Sequence, residues 1–486
     1  MVIINLLHIL ILLPIIGCLF SFIIRKDETL KVFSLYLSLL IFNISLLMWI
    51  LFDSSLYGYQ FTTQLDLLSS KNFNVTLGVD GISLFFIILV TFIIPVCLLT
   101  SWNTVKDQVH YYILCFFFIE VLLILVFTVL DILIFYICFE TVLIPMYLII
   151  GIWGSRERKI RAAYLFFLYT LAGSFLMLIT ILSIYFQVGS LNIDVLQFVN
   201  FSYYKQLFFW FAFFISFAIK TPMIPFHIWL PEAHVESPTA GSLMLAGILL
   251  KLGTYAFLRF SIPMFPYASI YFSPLVFVLS VIAIIYISIT TVRQIDLKKI
   301  IAYSSVAHMN FVTLGLFSLN VQGIQGSVLL MISHGIVSPA LFLCVGVLYD
   351  RYKTRLLHYY SGLSYIMPLY SVIFLFFTLS NISVPGTSSF IGEFLVLSGC
   401  YFITPSITCV ATIGVVLGAV YSLWLYNRVC FGVIKTCYIN QFSDVSRREF
   451  YLFVPLIFCV LWMGIQPKAF LQPLAYSITN LLSGMY

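Results

Sequence analysis

The sequence predicts an all-α, polytopic membrane protein of about fourteen transmembrane helices, two of them broken at proline. Three observations carry that class. Of 486 residues, 62% are hydrophobic and only 9% charged, against roughly 25% charged in soluble domains. Apolar runs of about 20 residues, the length that crosses a bilayer as a helix, recur from end to end. The basic residues crowd into alternate loops, as the positive-inside rule demands of spanning helices.

The runs fall near 3–24, 31–52, 82–100, 111–129, 131–152, 163–187, 207–230, 239–260, 270–292, 301–319, 323–349, 367–401, 405–431 and 450–471. The first is apolar from Val2 onward, without a basic leader or a small-residue cleavage site, so it reads as a span rather than a removable signal. The polar loop 53–81 predicts short local structure and nothing catalytic. The seventh run carries Lys220 and then meets Pro222 and Pro225. Proline removes a backbone donor and clashes with the preceding turn, and the groups it frees in a bilayer need partners or water. The eighth run carries Lys251 near its middle. The twelfth, 367–401, is too long for one straight crossing and contains Ser383-Val384-Pro385-Gly386-Thr387, so it predicts a second broken helix. The chain ends soon after the fourteenth run.

Loop charge tests the count. With fourteen spans, one side carries Lys71, Lys205, Arg259 and Lys468, four basic residues, and the other carries eighteen, among them Arg156, Arg158, Lys159, Arg161, Arg293, Lys298, Lys299, Arg351, Arg355 and Arg428. Lys220 and Lys251 complete the twenty-four. One missed helix would scramble this split. The termini are therefore expected outside and the basic loops inside. Lys220 with its proline break in the seventh span and Glu393 with Pro385-Gly386 in the twelfth are five helices apart. That offset predicts, within one integral bundle 1–486, a repeat over 111–260 (spans 4–8) and a second over 270–431 (spans 9–13). An odd helix number makes the second inverted, and matched broken spans are a pointer to inverted-repeat transporters.

Glu120, Glu140, Lys220, Lys251, His308 and His334 fall near the middle of their spans, and Glu393 lies in the second half of its own. A charged side chain at mid-bilayer costs about 2.5–3.5 kcal/mol on insertion scales and by default marks an ion path. These side-chain types suit protons: burial moves carboxylates and lysines toward neutral titration, and histidine titrates there already. Taken singly, each has a plain structural reading. A lone glutamate such as Glu120 can hydrogen-bond a neighbouring helix, His308 or His334 can be a satisfied interior histidine, and Glu140 and Lys220 can form a static pair. All seven being structural would cost kilocalories at each position, which favours a layer of proton-carrying groups. A driver is missing: there is no P-loop, no GxGxxG site and no Fe–S or zinc cysteine spacing among the ten scattered cysteines, Cys437 included, so no metal or cofactor is expected. His227 and His234 flank Pro231-Glu232 and read as part of a helix break rather than as metal ligands. Trp49, Trp102, Trp153, Trp229 and Trp424 near span ends read as interfacial anchors. The net charge of +6 sits in short loops and does not point to nucleic acid. The heavy use of Phe and Tyr with no import sequence suits an organelle-encoded or a bacterial protein.

The segments VDGISLFF (79–86), FETVLIPMYLIIGIWGSRERKIRAAY (139–164), PFHIWLPEAHVESPTAGSLMLAGILLKLGTYAFLRF (225–260), RQIDLKKIIAYSSVAHMN (293–310), LLMISHGIVSPALFLCVGVLYDR (329–351) and SVPGTSSFIGEF (383–394) resemble the antiporter-like membrane-arm subunits of mitochondrial NADH:ubiquinone oxidoreductase, respiratory complex I. The resemblance covers nearly the whole chain. It implies a fourteen-helix subunit in the mitochondrial inner membrane, termini toward the intermembrane space, that pumps protons with energy released by quinone reduction elsewhere in the complex. Its partners would be other membrane-arm subunits and lipids, and NAD, FMN, Fe–S clusters and ubiquinone would belong to other chains. The charged axis would run from Glu140 and Lys220 through Lys251, His308 and His334 to Glu393, with Glu120 in the same layer. Glutamate at 393, where two sister subunits usually carry lysine, and the lack of a long lateral helix separate this chain from those sisters. Two rival readings remain open: a subunit of a multi-subunit cation/proton antiporter, which lysine at 393 would favour, and a structural membrane spacer. A redox-active subunit lacks the cofactor motifs.

Overall fold

The computed structural model describes residues 2–56, 58–66, 74–435 and 443–483; Lys71 and Cys437 lie outside the described residues. The chain opens with α1 (Val2–Ile23) and α2 (Asp27–Leu51), then an antiparallel hairpin of β1 (Gln60–Asp66) and β2 (Asn74–Val79). The loop expected to hold short local structure thus folds into two strands. Next come α3 (Gly81–Thr100), α4 (Val109–Thr128), α5 (Ile132–Thr141), α6 (Leu143–Trp153), α7 (Lys159–Val188), α8 (Ile193–Leu196) and α9 (Tyr203–Lys220). Asp80 starts α3 through a capping box: its carboxylate accepts the Ser83 N–H at 2.8 Å, and Ser83 Oγ accepts the Asp80 N–H at 2.9 Å, satisfying two donors that a helix start leaves orphaned. α5 stops at Thr141 and α6 resumes at Leu143, because Pro145 has no N–H for the Thr141 carbonyl.

α9 ends at Lys220, and eight residues of turn follow before α10 (Trp229–Glu236). α11 (Thr239–Met244), α12 (Leu250–Ala256) and α13 (Ile262–Met264) are joined by π-turns at Leu245–Leu249 and Phe257–Ser261 into one rod over Thr239–Met264. Then come α14 (Pro266–Val292), α15 (Leu297–Leu316), α16 (Val321–Tyr352), a 3₁₀ turn at Leu357–Tyr359 and α17 (Leu363–Ile366). α18 (Pro368–Asn381) and α19 (Ser388–Ile403) are two half-helices with a gap at 382–387, where the second break was expected. α20 (Pro405–Cys430), α21 (Arg447–Ile465) and α22 (Lys468–Ser483) close the chain. Among the described residues eleven helices are long and apolar enough to cross a membrane by length and composition. The runs missing from that set are 207–230 and 367–401, which are broken, and 301–319, whose helix α15 begins with Leu297-Lys298-Lys299.

One boundary needs correction. The run taken as 450–471 ends at Ile465, and the turn at Gln466-Pro467 releases a further helix, α22, where the sequence reading left only a short tail. Its mixed composition hid it from a search for apolar runs. Gly81 lies against it: the Gly81 N–H donates to Ser477 Oγ at 3.0 Å, and a Cβ there would strike the Pro473 carbonyl.

The chain forms two compact units, one of Met1–Lys220, Leu252–Phe272 and Gln472–Tyr486, the other of Thr221–Lys251 and Ser273–Leu471. The core of the first is aromatic. Phe86 stacks on Phe127 at 5.1 Å, and Tyr255 meets both rings edge-on. Trp210 stacks between Phe214 and Phe272 while its Nε1–H donates to Ser269 Oγ at 3.1 Å. In the second unit α16 is the central element, its most apolar stretch wholly buried. α19 packs so closely on it that a Cβ at Gly326 would lie 2.6 Å from Leu395 Cβ, and one at Gly392 would lie 2.9 Å from Leu330 Cβ. Small residues at such contacts let helix backbones approach where lipid supplies no hydrophobic drive between helices.

Candidate functional site

In the first unit the break after Thr141 leaves Glu140 in the last turn of α5, and the end of α9 leaves Lys220 as its final residue. The two side chains approach there, Lys220 Nζ to Glu140 Oε1 at 3.8 Å. Lys220, buried, also donates to the Phe139 carbonyl at 2.6 Å and lies 3.1 Å from the centre of the Phe139 ring. The ammonium is thus held by a carbonyl, a ring face and a carboxylate, each of which offsets part of its desolvation. Lys220 was expected at mid-helix; the structure puts it at a helix end beside the break. Glu120 is fully buried on α4, its two carboxylate oxygens without a hydrogen-bond partner. No hydrogen bond or ion pair among the described residues joins it to Glu140 or Lys220, so the expected layer does not include it by contact.

The second unit assembles four of the remaining groups in a row. Lys251 lies two residues beyond the first π-turn. A π-turn adds one residue to a helical turn and leaves carbonyls without their usual partners; Lys251 Nζ donates to one of them, that of Ala246. Nζ also meets His334 Nδ1, on α16, at 2.8 Å. The His334 and His308 rings are 5.8 Å apart at 48°, and His308 Nδ1, on α15, is 3.0 Å from Glu393 Oε1 on α19. All four side chains are buried. Hydroxyl pairs brace the row: Ser333 with Ser388 at 2.6 Å and Ser305 with Ser338 at 2.9 Å.

The donor–acceptor inventory gives this row a direction. With Lys251 protonated, its ammonium donates and His334 Nδ1 accepts, which puts the His334 proton on Nε2. With Glu393 ionised, His308 Nδ1 donates, which leaves His308 Nε2 as an acceptor. Both Nε2 atoms are buried without a hydrogen-bond partner. In that charge state His334 Nε2 is a donor and His308 Nε2 an acceptor, with the two rings 5.8 Å apart.

Sequence reasoning passed over a second polar cluster in this unit. Lys298 and Arg355, counted among the loop cations, are buried. Lys298 Nζ donates to the Ser237 carbonyl at 2.8 Å and to Ser242 Oγ at 3.2 Å. Arg355 donates to the Val235 carbonyl and lies 4.7 Å from the Tyr349 ring. His234 is not at a helix break: it lies inside α10, buried, its ring stacked on Phe342 at 4.6 Å with both nitrogens unpaired. The signal was the polar run Pro231–Ser242 between two apolar stretches. Arg259, likewise expected in a loop, is buried in the first unit and pairs with Asp80 at 2.7 Å, its Nε donating to the Tyr255 hydroxyl at 3.2 Å.

Residues 130–418 match the family described as NADH:quinone oxidoreductase/Mrp antiporter, TM. A relative from Chondrus crispus, named NADH-ubiquinone oxidoreductase chain 4, is 58% identical over 473 residues, 97% of this chain and 96% of that one. A chain in the structure of respiratory complex I from Thermus thermophilus with bound NADH superposes with a TM-score of 0.89 at 27% identity, covering 99% of each chain. A chain of the Mrp complex from Dietzia sp. DQ12-45-1b superposes with a TM-score of 0.87 at 17% identity over 99% of this chain and 98% of that one, a likeness of fold alone.

Proposed function

This chain belongs to the family of NADH:quinone oxidoreductase and Mrp antiporter transmembrane subunits, and from that premise we propose that it is the proton-translocating, antiporter-like subunit 4 of NADH:ubiquinone oxidoreductase. The observation that carries the reading is the buried row Lys251–His334–His308–Glu393, with contacts of 2.8 and 3.0 Å at its ends and the two rings 5.8 Å apart. The Glu140–Lys220 pair is the switch of the first half. Neutralising or withdrawing Glu140 removes the charge that favours the Lys220 ammonium and releases a proton toward the second group. The proton then passes along the histidines to Glu393 and leaves on the terminal side. Glu120 lies in the same membrane layer as a reserve proton group. The chain works as part of a translocase and performs no redox step, and NAD, FMN, Fe–S clusters and ubiquinone belong to other subunits.

The three charge-bearing or broken runs complete the eleven long helices to fourteen spans, with 111–260 and 270–431 as inverted repeats. The eighteen-to-four loop-charge split supports termini on the intermembrane-space side of the mitochondrial inner membrane, although buried Lys298, Arg355 and Arg259 weaken it as a pure loop count. Partners are the neighbouring membrane-arm subunits and lipids. An organelle-encoded gene fits the Phe-rich composition. The antiporter reading shares the family model and the fold, but the relatives at 47–61% identity are all named NADH-ubiquinone oxidoreductase chain 4, and Glu393 stands where the antiporter reading expects lysine.

The test is native-gel separation of mild-detergent-solubilised membranes, with NADH-dehydrogenase staining and mass spectrometry to locate this chain, followed by proton uptake in vesicles carrying Lys251→Ala. Comigration with a large NADH-oxidising band and loss of pumping in the assembled variant are expected. Migration in a smaller assembly without that activity would overturn the assignment.

A further inference from the structure

At one end of α14 and α20 a cavity of about 980 Å³ lies apart from every group assigned above. It is lined by the end of α14 and the residues just after it, by the last turns of α20, and by residues within 357–361 and 431–435. Arg293, His358, Arg428 and Lys435 line it, and no carboxylate does among the described residues. Its walls are tied together. The Leu357 N–H donates to the Ile295 carbonyl at 2.9 Å, the Gly362 N–H donates to the Phe431 carbonyl at 3.1 Å, and Lys435 donates to the His358 carbonyl. Trp424 lies in the lining, with the Arg428 guanidinium 5.8 Å from its ring.

The plain reading is that these cations offset two helix C-termini. Each terminus carries roughly half a negative charge, so the pair accounts for about one cation. Three permanent ones are present, and the surplus is positive. Tryptophan beside arginine at the end of a spanning helix marks the headgroup level of a bilayer. Away from the cavity both helices expose apolar rows at helical spacing: Val278, Ile282 and Ile289 on α14, and Ile413, Val416 and Val420 on α20. Gly414 seats Ile284 of α14 directly on α20. A positive cup beside a tryptophan–arginine pair, continuous with exposed apolar faces of two long helices, suits a phosphate-bearing headgroup with acyl chains.

We infer that this cavity binds the headgroup of an anionic phospholipid, with its acyl chains along α14 and α20. The experiment uses the intact detergent-solubilised complex and two photoactivatable lipids with the same diazirine-bearing acyl chain, one a phosphatidylglycerol and the other a phosphatidylcholine. Cross-linked peptides are quantified by mass spectrometry. The anionic probe should label peptides within 278–295 and 413–433 well above the zwitterionic one. Arg293→Gln with Arg428→Gln should lower that labelling about 30-fold, at about fivefold per cation removed. If the double variant fails to assemble, the two probes compared on the unsubstituted complex decide alone. Equal labelling by both lipids, no labelling by either, or labelling unchanged by the substitutions would overturn the site. Full displacement of the anionic probe by inorganic phosphate would make it a free-phosphate site and overturn the lipid reading.

Discussion

Glu140→Gln is the substitution that most directly separates a working charge pair from a static one. Glutamine keeps the size and hydrogen-bonding reach of the side chain and removes only its charge. At 3.8 Å, and with the effective dielectric of about 20 that suits partly buried pairs, the lost attraction on the Lys220 ammonium is about 4 kcal/mol. That corresponds to about three orders of magnitude in the equilibrium for losing the Lys220 proton. The fold should survive the change, because Lys220 keeps the Phe139 carbonyl at 2.6 Å and the Phe139 ring at 3.1 Å, and Glu140 itself is only half-buried. The assay is NADH-driven quinone reduction and proton uptake in inner-membrane vesicles, normalised to assembled complex on a native gel. The expected result is coupled activity down about tenfold or more with normal assembly, and partial recovery in Glu140→Asp. Turnover and pumping within about twofold of the unsubstituted complex would refute the switch. So would activity falling only in step with assembly.

Glu393→Gln keeps a partner for His308 and should abolish pumping in an assembled complex. Glu393→Leu should also leave His308 Nδ1 unpaired, at a cost of about 1–3 kcal/mol, read as a lower temperature for loss of the NADH-dehydrogenase band. Asp80→Asn strands the buried Arg259 charge, and with a cost of about 3–5 kcal/mol it should deplete the assembled complex in pulse-labelled membranes. Burial pushes the Asp80 carboxyl up, but Arg259 and the hydrogen bonds from Arg259 and Ser83 together hold it below the ordinary carboxylate range. Its stabilisation is therefore complete at neutral pH and lost as the pH falls through that lowered value, so acid dissociation of the complex should shift to lower pH than in a variant lacking the pair. Gly326→Ala places a methyl 2.6 Å from Leu395 Cβ and 2.7 Å from the Val396 nitrogen. It should cost about 1–3 kcal/mol of overpacking and lower turnover by shifting α19, which carries Glu393, with quinone reduction per assembled complex as the readout.

The membrane class, eleven long apolar helices and both helix breaks were legible in the linear chain because bilayer thickness and proline chemistry act over 20 residues or fewer. Lys220-Thr221-Pro222 and Ser383–Thr387 announce their breaks locally, and the cost of a mid-span charge singles out Lys251, His308, His334 and Glu393 without any knowledge of packing. Three-dimensional neighbours were not legible. No spacing says that His334 pairs with Lys251 and His308 with Glu393 across 83 and 85 residues, or that Glu120 of the same apparent layer stands apart from Glu140 and Lys220. Loop cations were misjudged for the same reason: Lys298, Arg355 and Arg259 look topogenic in sequence and are buried in the fold, because carbonyls and carboxylates from distant segments compensate them. α22 and the basic cavity between α14 and α20 went unseen, since one has mixed polarity and the other exists only where three separate segments meet. Composition and periodicity thus set which residues enter the membrane, by the price of polar groups in lipid. Only tertiary packing decided which of those groups became partners, because hydrogen bonding and ion pairing act over about 3–4 Å, a range that chain spacing does not record.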